Sequence, residues 1–147
     1  PWFANSVSPW GIRDHQAAGT ALRVDAIQAA WQAAGVMGLA RIGIAMDLVY
    51  IGIYSFGAYC GGRFFAQSNR APTRRLGWIF VGAAIVVGVA DYTETICQFV
   101  QAMTFKGDDT LAGIAAFAQP IKSTSFLVTF FGLLVALFLR RRARRGA

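Results

Sequence analysis

Asp91 and Glu94 stand one helical turn apart inside "VADYTETICQFVQ" (89–101), a segment that is otherwise oily. An ionised side chain at the centre of a bilayer costs about 2.5–3.5 kcal/mol on insertion scales, so two carboxylates together need a reason. At this spacing they can bind a proton or cation, recognise a small polar ligand, or pair with a buried base. Further polar residues lie on neighbouring apolar runs. Asp47, Tyr50 and Tyr54 recur at helical spacing, and Gln98 and Gln101 extend the Asp91–Glu94 stripe. Lys122 follows Pro120, with Gln119 and Ser123 beside it.

Three apolar runs must position these groups, at about 42–62, 77–103 and 111–139. Each reaches the roughly 20 residues that cross a hydrocarbon core about 30 Å thick, and the second and third are longer. Measured from the Arg-marked ends at about 1.5 Å per residue, Asp47 lies roughly 24 Å up, Asp91 roughly 21 Å, Glu94 roughly 26 Å and Lys122 roughly 27 Å. Four ionisable groups on three spans thus converge on the outer third of the bilayer. Pro120 either bends the third helix or marks its entry into the membrane.

The sequence ahead of the spans differs in character. Pro1, Pro9, Gly11 and Gly19 make residues 1–19 an irregular segment. From 20 to 37, Leu22, Val24, Ile27, Trp31 and Ala34 recur near helical spacing between polar residues. That pattern predicts an amphipathic helix capped by Thr20, with Trp31 as an interfacial anchor and lipid or protein against its shallow apolar face. The expected architecture is an all-α, polytopic helical bundle. It has three transmembrane helices and an extracytoplasmic amphipathic helix, forming a single membrane domain over 1–147. A further helix ahead of Pro1 would make four spans.

Charge orients this bundle. Of 147 residues 56% are hydrophobic and only 14% charged, against about 25% in soluble domains. Fourteen Lys and Arg oppose seven Asp and Glu. The excess sits in Arg63, Arg70, Arg74 and Arg75, and in Arg140, Arg141, Arg142, Arg144 and Arg145. The 104–110 connection offers Lys106 against Asp108 and Asp109. The positive-inside rule then places the Arg-rich connection and the C-terminus in the cytoplasm and the N-terminal helix outside. Clustered Arg beside long apolar runs reads as topology-setting and lipid-facing, in preference to a nucleic-acid surface.

Several chemistries are excluded. His15 is the sole histidine, which removes multi-His metal sites, bis-His haem and His-based nucleophilic catalysis. There is no Gly-rich phosphate loop, no Cys-x-x-Cys and no His-Glu-x-x-His. Asp47 and Asp91 occur as Met46-Asp47 and Ala90-Asp91, outside the sequence contexts of intramembrane aspartyl proteases. Cys60 and Cys97 fall near opposite membrane faces and cannot bridge. No catalytic residue, metal or particular cofactor is implied. Gly57-x-x-x-Gly61 and Ala84-x-x-x-Gly88 predict close helix packing, and Phe126, Phe130, Phe131 and Phe138 an outward face for lipid or a partner.

Three stretches, "AGTALRVDAIQAAW" (18–31), "MDLVYIGIYSF" (46–56) and "ADYTET" (90–95), together resemble a family of small bacterial integral membrane proteins of unassigned function. Its members pair an extracytoplasmic amphipathic helix ending in Trp with an Asp- and Tyr-containing span, an Asp-x-x-Glu-Asn span and a late Lys. Asp47, Tyr50, Tyr54, Asp91, Glu94 and Lys122 fall on those positions, and Thr95 stands where the family has Asn. The resemblance implies a bacterial inner-membrane location and supplies no reaction. The expected function is a non-enzymatic accessory or structural subunit, bound to other membrane subunits or to itself. The alternative is a small transporter or proton- or cation-binding protein using the polar cluster.

Overall fold

Five helices account for almost all of residues 3–145, the part described by a computed structural model; the side chains of Leu139, Arg140 and residues 142–145 lie outside that description. They are α1 (Ile12–Gln16), α2 (Ala21–Ala33), α3 (Met37–Ala66), α4 (Ala71–Thr104) and α5 (Asp109–Arg145). No strand occurs among the described residues. α3, α4 and α5 are each long and apolar enough to cross a membrane. Their most apolar stretches differ in burial: 44% for α4, against 17% for α3 and 11% for α5. α4 is therefore the packed helix, and the other two turn most of their apolar surface outward.

Local chemistry sets the helix ends. Thr20 is extended and accepts the Arg23 amide at 3.3 Å, the expected N-cap. α2 ends where Gly35 takes a φ of 69°, letting the Val36 amide reach back to the Trp31 carbonyl at 2.9 Å. Pro72 sits in the first turn of α4, where its missing N–H has no partner to lose. α4 ends at Phe105, which adopts a positive φ of 52° while the Lys106 amide bonds to the Gln101 carbonyl at 3.2 Å. Asp108 then caps α5, its carboxylate accepting the Leu111 amide at 2.9 Å. α5 runs unbroken through Pro120 and includes the backbone of the Arg-rich stretch as far as Arg145.

The chain divides into two compact units. Unit 1 comprises residues 1–51 and 90–120. Its core is Ile27, Trp31, Met37, Ala40, Ile44 and Ala102, with Phe3, Val7, Ile12 and Phe99 packed against it. Residues 1–19, expected to be irregular, contain the short helix α1, and the preceding turn is ordered by Asn5, whose carboxamide oxygen accepts the Val7 and Ser8 amides at 2.8 Å. Short polar side chains of this kind close turns by bonding backbone two and three residues on.

The expected interfacial role of Trp31 is corrected by this packing. Its ring is fully buried, and its indole N–H donates to the Phe3 carbonyl at 3.0 Å. Val24, Ile27, Gln28 and Trp31 form the buried face of α2, whereas Leu22 is 82% exposed. The reason is the N-terminal segment, which supplies a protein surface for that face before lipid can.

α2 is also tied to the α4–α5 connection. The Asp109 carboxylate accepts the Ala21 amide at 2.7 Å, and that of Asp25 accepts the Gly107 amide at 2.5 Å. A Cβ on Gly107 would collide with the Ala21 carbonyl oxygen, so only glycine permits this approach. Asp25→Ala should therefore lower stability by about 1.5–3 kcal/mol, the range for a hydrogen bond to a charged group. Hydrogen exchange at the Gly107 amide should accelerate with it; an unchanged exchange rate would show that this bond does not hold the connection.

Unit 2 comprises residues 52–89 and 121–147, with Phe65, Phe80 and Ala136 at its core and Leu76 and Leu133 against them. Here α3 and α4 touch backbone to backbone. A Cβ on Gly62 would lie 2.8 Å from the Val81 nitrogen, and one on Gly77 would overlap the Ala66 backbone. At Gly88 the approach is to Ser55, whose Cβ would be 3.2 Å away. The Gly57-x-x-x-Gly61 motif is not the crossing point: nothing lies within 4 Å of a Cβ at Gly57, and Gly61 meets only Leu133.

Candidate functional site

The polar residues of α4 occupy one face because Asp91, Glu94, Thr95, Gln98 and Gln101 fall at steps of three and four. All five are buried in unit 1, with Glu94 fully so. Gln98 donates from Nε2 to Glu94 Oε1 at 3.1 Å. Gln101 works at the end of the helix, donating to the Cys97 carbonyl and accepting the Asp108 amide, each at 3.1 Å. It thereby joins the polar face to the cap of α5. Arg41, on α3, donates from Nε to the Ala102 carbonyl at 2.8 Å. A cation there complements the negative end of the α4 dipole.

The other anticipated residues are placed differently. Asp47 is half-buried, whereas Tyr50 is 62% exposed although it shares the Asp47 helical stripe. Both belong to unit 1; Tyr54 and Lys122 belong to unit 2 and are half-buried. None of Asp47, Tyr50, Tyr54, Asp91, Glu94 and Lys122 stands without an interaction partner. Among the described residues no group of three or more His, Cys, Asp and Glu converges as a metal would require. Cys60 is exposed and Cys97 buried, and both are free thiols. Of the basic residues, Arg63, Arg70, Arg74, Arg75 and Arg141 are exposed, while the side chains of Arg140, Arg142, Arg144 and Arg145 lie outside the described residues.

Three residues whose burial escaped sequence reading are Thr95, His15 and Gln28. Thr95 is 1% exposed on the α4 face, and no hydrogen-bond partner for its hydroxyl occurs among the described residues. His15 and Gln28 are also buried, joined at 3.3 Å between His15 Nε2 and Gln28 Nε2. The imidazole stacks on Trp31 with ring centroids 5.3 Å apart. A donated amide N–H requires an unprotonated Nε2, and protonation would set two donors against each other. Burial lowers the His15 pKa from 6.5 to about 4.

This shift fixes the sign of a pH effect. The folded chain resists protonation that the unfolded chain accepts, so the contribution of neutral His15 is complete above pH 6.5 and is lost as pH falls towards 4. The loss over that window should reach roughly 3 kcal/mol. Thermal melts of the chain in detergent at stepped pH should record it, and His15→Phe should flatten the curve. An equally steep acid loss in His15→Phe would assign the effect to other groups.

The architecture and this buried polar face define an all-helical protein with three membrane-crossing-length helices and ionisable groups along the most buried one. No family model matches the chain, and no curated protein or solved structure matches it.

Proposed function

We propose that the chain is a non-enzymatic integral membrane protein of the bacterial inner membrane, acting as an accessory or structural subunit of a larger complex or homo-oligomer. In this reading α2 and the N-terminal segment are extracytoplasmic, and the α3–α4 connection and the C-terminus are cytoplasmic. The observation that carries it is the outward face of α5. Phe117, Phe126, Phe130, Phe131 and Phe138 are between 47% and 73% exposed along a helix buried over only 11% of its most apolar stretch. Phe126 and Phe130 stack at 6.1 Å, and Phe130 meets Phe131 edge to face at 5.4 Å. Rigid aromatic surface of this kind suits a helix partner, because two interlocking faces gain dispersion contacts that mobile lipid tails do not match. The bond from Arg41 of α3 to the Ala102 carbonyl of α4 supports a polar clasp that keeps these helices in register.

Purification from membranes in mild detergent, followed by native mass spectrometry, tests the subunit reading. A retained second subunit or a defined homo-oligomer is the expected result, and a homogeneous monomer argues against it. The burial of Asp91 and Glu94 within a span favours one second reading, a proton- or cation-binding transporter. Asp91→Asn separates the two: a clasp loses thermal stability, whereas a transporter loses flux and keeps its melting temperature.

A further inference from the structure

Charge is distributed between the two units with complete segregation of acids. All seven Asp and Glu lie within residues 1–51 and 90–120, and unit 2 has none. Unit 2 holds ten of the fourteen Lys and Arg: Lys122, four Arg at 63–75 and five at 140–145. Arg63, Arg70, Arg74 and Arg75, all exposed, therefore have no Asp or Glu within their own unit. Mobile counterions balance a diffuse charge, but one of these arginines stands over an aromatic ring.

Arg63 lies over the Trp78 indole with its guanidinium carbon 5.2 Å from the ring centroid. Both residues are exposed, Trp78 by 52%. Stacking uses one flat face of the guanidinium and leaves its N–H edges available to a bidentate acceptor. The neighbouring residues in sequence, Gly62 and Gly77, are where the α3 and α4 backbones touch within unit 2. Phe64 and Ile79, next in sequence, are each 54% exposed. An exposed guanidinium over an exposed indole therefore stands next in sequence to exposed apolar side chains, near the ends of two helices long enough to span a bilayer.

We propose that the Arg63–Trp78 corner, flanked by Arg74 and Arg75, docks the headgroup phosphate of an anionic phospholipid, whose acyl chain lies along Phe64 and Ile79. The guanidinium fork takes the phosphate oxygens, and the indole occupies the interfacial depth that Trp favours. The apolar flank distinguishes this occupant from inorganic phosphate and from nucleic acid, which have no use for Phe64 or Ile79. This inference rests on the membrane-spanning part of the proposed function.

The test is native mass spectrometry of the full chain in mild detergent with equal amounts of phosphatidylglycerol and phosphatidylcholine of identical acyl chains. Phosphatidylglycerol should bind at least about fivefold more tightly, the ratio that one arginine near an anionic surface supplies. Arg63→Gln should remove most of that preference, and Arg63→Lys, which keeps charge but not the stacked fork, should retain part of it. Should Arg63→Gln fail to fold, the Lys variant decides: full retention of the preference overturns the stacked-fork assignment. Equal binding of the two lipids by the wild type overturns the proposal, as does an unchanged preference in a folded Arg63→Gln. Millimolar inorganic phosphate or an oligonucleotide that displaces phosphatidylglycerol overturns the lipid assignment in favour of that ligand. Alkaline extraction of membranes separates the two levels: a chain that washes off refutes the membrane reading, whereas one that stays but shows no lipid preference refutes only this inference.

Discussion

Trp31→Ala is expected to destabilise the chain by about 3–5 kcal/mol, the range for removing a large buried aromatic side chain. The indole is fully buried, gives its N–H to the Phe3 carbonyl and carries the stacked imidazole of His15. Losing it empties the centre of the unit 1 core and strips one wall from His15. Trp31→Phe should restore part of the stability, because it refills most of the volume but removes the indole N–H from the Phe3 carbonyl, which keeps only the Ser8 hydroxyl at 3.1 Å. Melting of the full chain in detergent reads both effects. Brominated lipids give an independent check, since a buried Trp31 should contribute no lipid-dependent quenching when variants lacking the other tryptophans are compared. Strong quenching of Trp31, or a melting temperature unmoved by the Ala change, would return it to the membrane interface.

Gly77→Ala should cost about 3 kcal/mol, the upper end of overpacking effects, because the added methyl meets backbone and no side chain can move aside. Its Cβ would overlap the Ala66 backbone and approach the Phe65 carbonyl carbon to 2.6 Å. α3 and α4 would have to separate, loosening Phe65 and Phe80 with them. Gly57→Ala is the matched control, since a Cβ there meets nothing within 4 Å and should leave melting nearly unchanged. Equal effects at the two positions would mean that helix flexibility matters more than the crossing. Equally small effects would mean that the helices do not meet at Gly77.

The contrast between these glycines shows where sequence reading stops. Small residues four apart are visible in any membrane helix, but whether they face a neighbour depends on rotation about the helix axis. Gly57 and Gly61 made the recognisable pair, whereas Gly62 and Gly77 make the contact. Gly62 shares small-residue spacing with Ala58 and Ala66 but is not singled out by it, and Gly77 has no such spacing with another Gly or Ala. Trp31 illustrates the same limit. Its place at the end of an amphipathic pattern was readable, but the identity of what covers it was not. Residues 3–15 provide that cover through Phe3, Ile12 and His15, up to 28 positions away in the chain.

What the amino-acid order determined by itself were properties carried by neighbours in sequence. Three apolar runs long enough for a bilayer, the Thr20 cap, the polar stripe from Asp91 to Gln101 and the segregation of Arg all follow from period, length and charge. These terms are local, so they survive without knowledge of the packing. The tertiary structure decided which polar groups are buried together and by what. Asp25 meets Gly107 across 82 residues, Ala21 meets Asp109 across 88, and His15 finds Gln28 and Trp31. It also left Tyr50 outward while burying Thr95. The physical reason is that a buried polar group is tolerated only where a specific partner compensates its lost hydration, and such partners are assigned by the rotation and approach of whole helices.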